Sequence, residues 1–302
     1  MQANQKTEVR PAHSFSELRQ SFRLVYDQYL KSGYTEPTPS RLRLHLRDLL
    51  PGSMAFVGVC ENKVVATATG VRNGKINLPA MGAFKEELRA LQSKQRRIVE
   101  STKFACSASS AGIKQNQRSD SAITCQLIKW FFGWCQGNLV DDWLMVVNPT
   151  HCTYYEKNFG FERVSEQKNC SHVSDHPGIL LKLDVSGILS GAKQVGKRAQ
   201  RLFLRDSIPF CSYTCYHTPT DEEIAALVLE APELLSDCEQ TEIDALLDAH
   251  PALASKVPWF FKQSSSFGAT KYLYPNGDAK RAWKRSPVMA PATTAPALEA
   301  GA

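Results

Sequence analysis

The stretch AITCQLIKWFFGWCQ, Ala122 to Gln136, is apolar on several sides at once. A surface helix keeps its apolar residues in one stripe, so this helix belongs inside the molecule. The run WLMVVN at 143–148 follows it and has the length and composition of a strand. With 302 residues and 43% apolar content, the chain can bury the core that such a pair needs.

Other elements can be read around this centre. Ser14 and Glu17 form a capping-box signature, and Phe15, Leu18, Phe22, Val25, Tyr26 and Tyr29 then recur at helical spacing up to Gly33, which predicts a helix over 14–32. Arg41 to Leu50 reads as a second, short helix stopped by Pro51-Gly52. MAFVGVC, the turn ENK and VVATATGV read as an antiparallel hairpin. A helix over 79–91 and a strand over 98–107 precede the buried helix. After the 143–148 strand, Thr150 to Phe159 is a short helix with Gly160 as its left-handed terminator, and FERVSEQ and GILLKLDV are closing strands. The order α-α-β-β-α-β-α-β-α-β-β describes a mixed α/β layer.

Beyond Asp184 the character changes. Residues 188–205 suggest a basic amphipathic helix suited either to packing on the domain or to resting on a membrane surface or a carrier protein. Residues 222–235 and 241–253 read as acidic helices. The expected divisions are 14–184, a helical extension over 185–262, and a largely disordered tail over 263–302 that ends in SPVMAPATTAPALEAGA.

Nine scattered cysteines without a C-x-x-C pair, a start without a signal-peptide core, and no apolar run of membrane-spanning length predict a soluble cytoplasmic protein with reduced thiols. The formal charge of +6 is mild for this length and suggests an acidic partner or substrate without implying nucleic acid. Cys211, Cys215 and His217 are only three ligands at a nonstandard spacing, so no metal is expected.

Four pieces carry a resemblance when taken in order. They are FRLVYDQYLKSGY, LPAMGAFKEELRALQSKQRRIVESTKFAC, the 143–148 strand, and NPTHCTYYEKNFGFE with its P-x-H-x-x-[FY]-Y-x-x-x-x-G-F pattern. Together they resemble the GNAT acyltransferases, and within them the N-acyl amino acid synthases related to acyl-homoserine-lactone synthases. The resemblance covers about residues 15–184. It implies a GNAT-like mixed sheet flanked by helices, with an added C-terminal helical segment, and an N-acyltransferase that moves a long acyl chain from an acyl carrier protein or coenzyme A thioester to an amino acid.

Residue by residue, the resemblance implies that Glu100 orients or deprotonates the amine, with an ion pair to Lys94, Arg96, Arg97 or Lys103 as the alternative. Tyr155, with Tyr154 second, matches the tyrosine that protonates the leaving thiol; a core aromatic is the competing reading. His151 matches the motif histidine, near a helix amino terminus that favours neutral imidazole, and could instead merely cap the turn. Cys152 diverges from His151 by about 100 degrees around the helix, which argues against a Cys-His nucleophile.

The loop SASSAGIKQNQRSDSA departs from the usual pyrophosphate loop, having Gly112 but no second glycine at the required spacing. That favours a donor on acyl carrier protein, whose acidic surface basic residues would complement. Lys103, Lys114 and Arg118 are the candidates for phosphopantetheine or carrier contacts. Two rivals stand beside this reading: an acetyl-CoA-dependent acetyltransferase, and an inactive fold serving as a binding module.

Overall fold

The computed structural model describes residues 7–74, 76–107 and 117–257. Strand β1 (Glu8–Pro11) leads into helix α1 (Phe15–Lys31), and β2 (Met54–Cys60) and β3 (Lys63–Arg72) form the hairpin. Helix α2 (Lys85–Gln92), β4 (Ile98–Cys106), α3 (Gln117–Gly137), β5 (Asp142–Val147) and α4 (Cys152–Phe159) follow. Strands β6 (Glu162–Arg163), β7 (Lys168–Cys170) and β8 (His176–Asp184) close the sheet. Then come α5 (Val185–Ser190), α6 (Lys197–Gln200), α7 (Asp221–Glu230), α8 (Gln240–Ala249) and α9 (Leu253–Lys256).

The strands order as β1-β2-β3-β4-β5-β8-β6, with β7 beside β8. All neighbours are antiparallel except β4 and β5. A parallel pair needs a crossover, and α3 lies in it. Successive residues of β3 from Val64 to Val71 are all buried, because helices cover both faces of the sheet. Side chains alternate along β2, so Phe56 joins the α3 core with Phe131 and Trp134 while Val57 joins Leu24 and Val25 of α1.

Two expectations change, and one strand is added. Residues 42–45 form no regular element, and only Leu46–Leu49 turns, as a 3-10 helix. RLRLHL alternates strictly, and Leu42, Leu44 and Leu46 are buried while the residues between them are not, a period of two that no helix satisfies. The 188–205 helix breaks at Gly191, whose φ of +77° is left-handed, and resumes as α6. Its apolar side faces the core, where Phe203 stacks on Phe132 at 4.0 Å between ring centroids. Strand β1, too short to show a period, gains its place by pairing with β2.

The last helices are built onto the first. Ile224, Leu227 and Val228 of α7, Ile243 and Leu246 of α8, and Leu253 of α9 share one apolar cluster with Leu18 and Phe22 of α1 and with Leu42, Leu44, Leu46 and Leu49. Among the described residues no helix is long and apolar enough to cross a membrane. The 263–302 tail lies outside the described residues.

Candidate active site

Two irregularities of the sheet coincide. Thr67 of β3 lies opposite Ala105 and Thr69 opposite Thr102, so Lys103 and Phe104 together oppose Ala68. This is a β-bulge, and Lys103 occupies it with a φ of +57°. On its other side β4 pairs with β5 only from Ile98–Asp142 to Ser101–Met145, although the strands run on to Cys106 and Val147. The two strands splay apart where the bulge begins. A cavity of about 760 Å³ opens there, lined by Ser101 to Phe104 of β4, by Met145 to Asn148, and by Tyr29, Tyr34, Arg43 and His45.

Glu100, paired with Leu144 one position before the last pair, stands where the splay begins and lines the cavity. It is 2% exposed, and one oxygen, Oε2, accepts the Ala80 N–H at 2.8 Å. Burial pushes its carboxyl up to about 7, against the opposing pull of the Ala80 amide, Arg47 and Lys103. A carboxyl in that range can hold or release a proton near neutrality. The cations that flank Glu100 in sequence have other carboxylate partners: Arg96 binds Asp142 at 2.5 Å and Asp184 at 2.7 Å, Arg97 binds Asp141 at 3.4 Å, and Lys103 binds Asp48 at 2.8 Å. Lys94 is exposed.

Tyr155 and Tyr154, on α4, line the cavity from the β5 side. Tyr155 packs edge-on against Tyr154 at 5.4 Å and against Phe161 at 6.0 Å. Burial first, and Tyr154 second, raise its phenol above the ordinary tyrosine range, so it stays protonated at neutral pH. His151 also lines the cavity and is exposed. It does not cap the turn with its side chain; Asn148 does, its Oδ1 accepting the Thr150 N–H at 3.0 Å. Cys152 is fully buried, and burial raises its thiol, an environment opposite to that of an activated nucleophile.

The carrier-contact candidates divide. Lys103 is only 4% exposed and points inward, so it is an internal cation rather than a surface one. Lys114 and the side chain of Arg118 lie outside the described residues, as does Gly112. His217 Nε2 donates to Glu223 Oε2 at 2.8 Å, and Cys211 and Cys215 are exposed.

Sequence reading missed Arg43, His45, Arg47 and Asp48. For Arg43 and His45 the strict alternation over 42–46 was the available signal, since it sets them between buried leucines instead of around a helix; Arg47 and Asp48 follow in the 3-10 turn and carry no such signal.

A mixed sheet with one parallel pair, splayed beside a bulge and entered by an acidic and a phenolic side chain, defines an acyltransferase of the GNAT-like class. Residues 20–184 match the family model described as N-acyl amino acid synthase FeeM, and the chain belongs to that family. It is an N-acyltransferase. Among solved structures, FeeM, an N-acyl amino acid synthase from uncultured soil microbes, aligns with a TM-score of 0.54 at 18% identity over 63% of this chain and 96% of that one. The AHL synthase LasI aligns with a TM-score of 0.47 at 10% identity over 68% and 98%, and the CoA-dependent acyl-homoserine lactone synthase BjaI, with SAM and isopentyl-CoA, with 0.47 at 13% over 74% and 100%. No curated protein matches the chain.

Proposed function

We propose that the enzyme transfers a long acyl chain from an acyl carrier protein or coenzyme A thioester to the amine of an amino acid, in the splay between β4 and β5. The observation that carries this reading is Glu100, a carboxyl pushed up to about 7, buried where the two strands part. Such a group can take a proton from an ammonium that enters beside it, or hold the amine through a water.

The amine nitrogen then attacks the thioester carbonyl carbon. Backbone N–H groups of β4 that face the gap hold the oxyanion, where preorganised donors act most strongly. Collapse breaks the carbon–sulfur bond as the nitrogen gives up its second proton to water, and Tyr155 gives its own proton to the departing sulfur. His151, at the exposed edge of the cavity, returns a proton from solvent. Phe104, Met145 and Val147 supply an apolar wall for the chain. Lys103 acts from within, while Lys114 and Arg118 are the proposed contacts for phosphopantetheine or an acidic carrier surface. The 760 Å³ cavity is within the size range of small-molecule sites.

The test is free-thiol release from long-chain and acetyl thioesters, on carrier protein and on coenzyme A, with and without pooled amino acids. Amine-dependent release from a long-chain donor, lost in Glu100→Gln, supports the reading. Release from acetyl-CoA alone, or none from any donor, overturns it.

A further inference from the structure

The family match ends at residue 184, yet one side chain well beyond it reaches the supports of Glu100. Glu242, in the first turn of α8, is 1% exposed. Its Oε1 lies 2.5 Å from Nη2 of Arg47, and its Oε2 accepts the Glu239 N–H at 3.3 Å, which fixes the carboxylate to the start of its own helix. Ile243 and Leu246 anchor α8 in the apolar cluster that also holds Leu46 and Leu49, on either side of Arg47.

Arg47 turns this contact toward the site. Its Nη1 donates to the Asn77 carbonyl at 2.8 Å. Three residues on, the 3-10 turn Pro79–Gly82 presents the Ala80 N–H that Glu100 accepts. The next residue, Asp48, holds Lys103 in the β4 bulge. One short segment, 47–48, therefore ties α8 to both the hydrogen bond and the cation that flank Glu100. A buried ion pair adds little to stability compared with apolar residues of the same volume. Its specific consequence here is the place it gives Arg47.

We propose that Glu242 is a positioning residue for acyl transfer: through Arg47 it fixes the 77–80 segment that holds Glu100, so the carboxyl-terminal helices are a working part of the active site. The proposal rests on the role assigned to Glu100 above. The groups that bear on Glu100 are the Ala80 N–H, Arg47, Lys103 with its partner Asp48, and Cys170 on β7. Burial pushes the Glu242 carboxyl up, while Arg47 and the Glu239 N–H pull it down.

The experiment measures kcat/KM from about pH 5 to about pH 9, together with thermal unfolding, for the full chain and three variants. Glu242→Gln frees Arg47 from its carboxylate. Arg47→Met with Glu242→Met removes both charges and retains apolar packing, so it stays foldable where the single change is not. Glu222→Gln, which breaks the exposed pair with Lys256, is the control. Both site variants are expected to lose ~10-fold to ~100-fold in kcat/KM, the scale of a small misplacement at a reacting centre. Their acid limbs should move in opposite directions, downward in Glu242→Gln, where Arg47 is an unshared cation near Glu100, and upward in the double variant, where that cation is gone. A loss of melting temperature with kcat/KM and the acid limb unchanged, while Glu100→Gln is inactive, overturns this proposal alone. Full activity in Glu100→Gln overturns the role of Glu100 and this proposal with it.

Discussion

Lys103 and Asp48 form an ion pair of 2.8 Å with side chains only 3% and 0% exposed. The pair pins the bulge of β4 to the Leu46–Leu49 turn. Burial lowers the Lys103 ammonium, while Asp48 pulls it up again. Asp48 Oδ2 also accepts the His45 N–H at 2.7 Å, so the carboxylate is well satisfied only while the lysine is present. Lys103→Met alone strands a buried carboxylate and should cost ~3–5 kcal/mol in urea unfolding. The double variant Lys103→Met with Asp48→Asn keeps an acceptor for His45 and should recover most of that loss. Equal stability of the single and double variants would contradict the pairing.

The raised Glu100 carboxyl links stability to pH with a definite sign. A carboxyl held at about 7 in the folded chain, above its unfolded value near 4.5, binds its proton more tightly when folded. Its contribution is complete below the unfolded value and is lost as pH rises through about 7. Glu100→Gln cannot ionise. Relative to wild type it should gain up to ~3 kcal/mol at about pH 8, and no such gain at about pH 4. Denaturant titrations of both proteins at the two pH values check this. A variant that is no more stable than wild type on the alkaline side would refute the raised value.

Tyr155→Phe should lower kcat ~100-fold or more with little change in KM for the amine, the scale expected when a proton donor is lost. Because burial keeps this phenol protonated, wild type should show no alkaline limb from it at or below its ordinary range near pH 10. Steady-state kinetics across pH decide the matter. A KM effect without a kcat effect would assign Tyr155 to packing.

Gly133 answers a question that the WFFGW run poses, since glycine weakens a helix interior. A Cβ at that position would sit 2.2 Å from the Tyr213 hydroxyl, which donates to the Trp130 carbonyl at 2.7 Å. Gly133→Ala should therefore destabilise by ~1–3 kcal/mol, as overpacking does, despite the better helix propensity of alanine. The cost should fall in a Tyr213→Phe background, where the clashing oxygen is gone. Thermal melts of the four proteins give the comparison.

The long elements were legible because their patterns are strong. Most apolar residues between Ala122 and Gln136, from Ile123 to Cys135, are buried as the composition demands, and Gly160 terminates α4 with a φ of +81°. The shorter ones were not. Residues 42–46 fall in a segment whose leucines suit a helix by composition, and only the alternation argues against one. Glu100 and Tyr155 were reached through the family pattern, not through periodicity. Arg47, Asp48 and Glu242 matter because of partners distant in sequence, and no local spacing encodes those pairings. Lys103 reads as a surface charge for the same reason: its partner belongs to another element.

The most direct test of acyl transfer at the β4–β5 splay is the mass of the product formed when the purified enzyme meets a long-chain thioester and a pool of amino acids. The expected result is an amide-linked N-acyl amino acid, formed in step with free thiol and absent with Glu100→Gln. Thiol release that yields only free fatty acid, or an amide product of equal yield from Glu100→Gln, would contradict it.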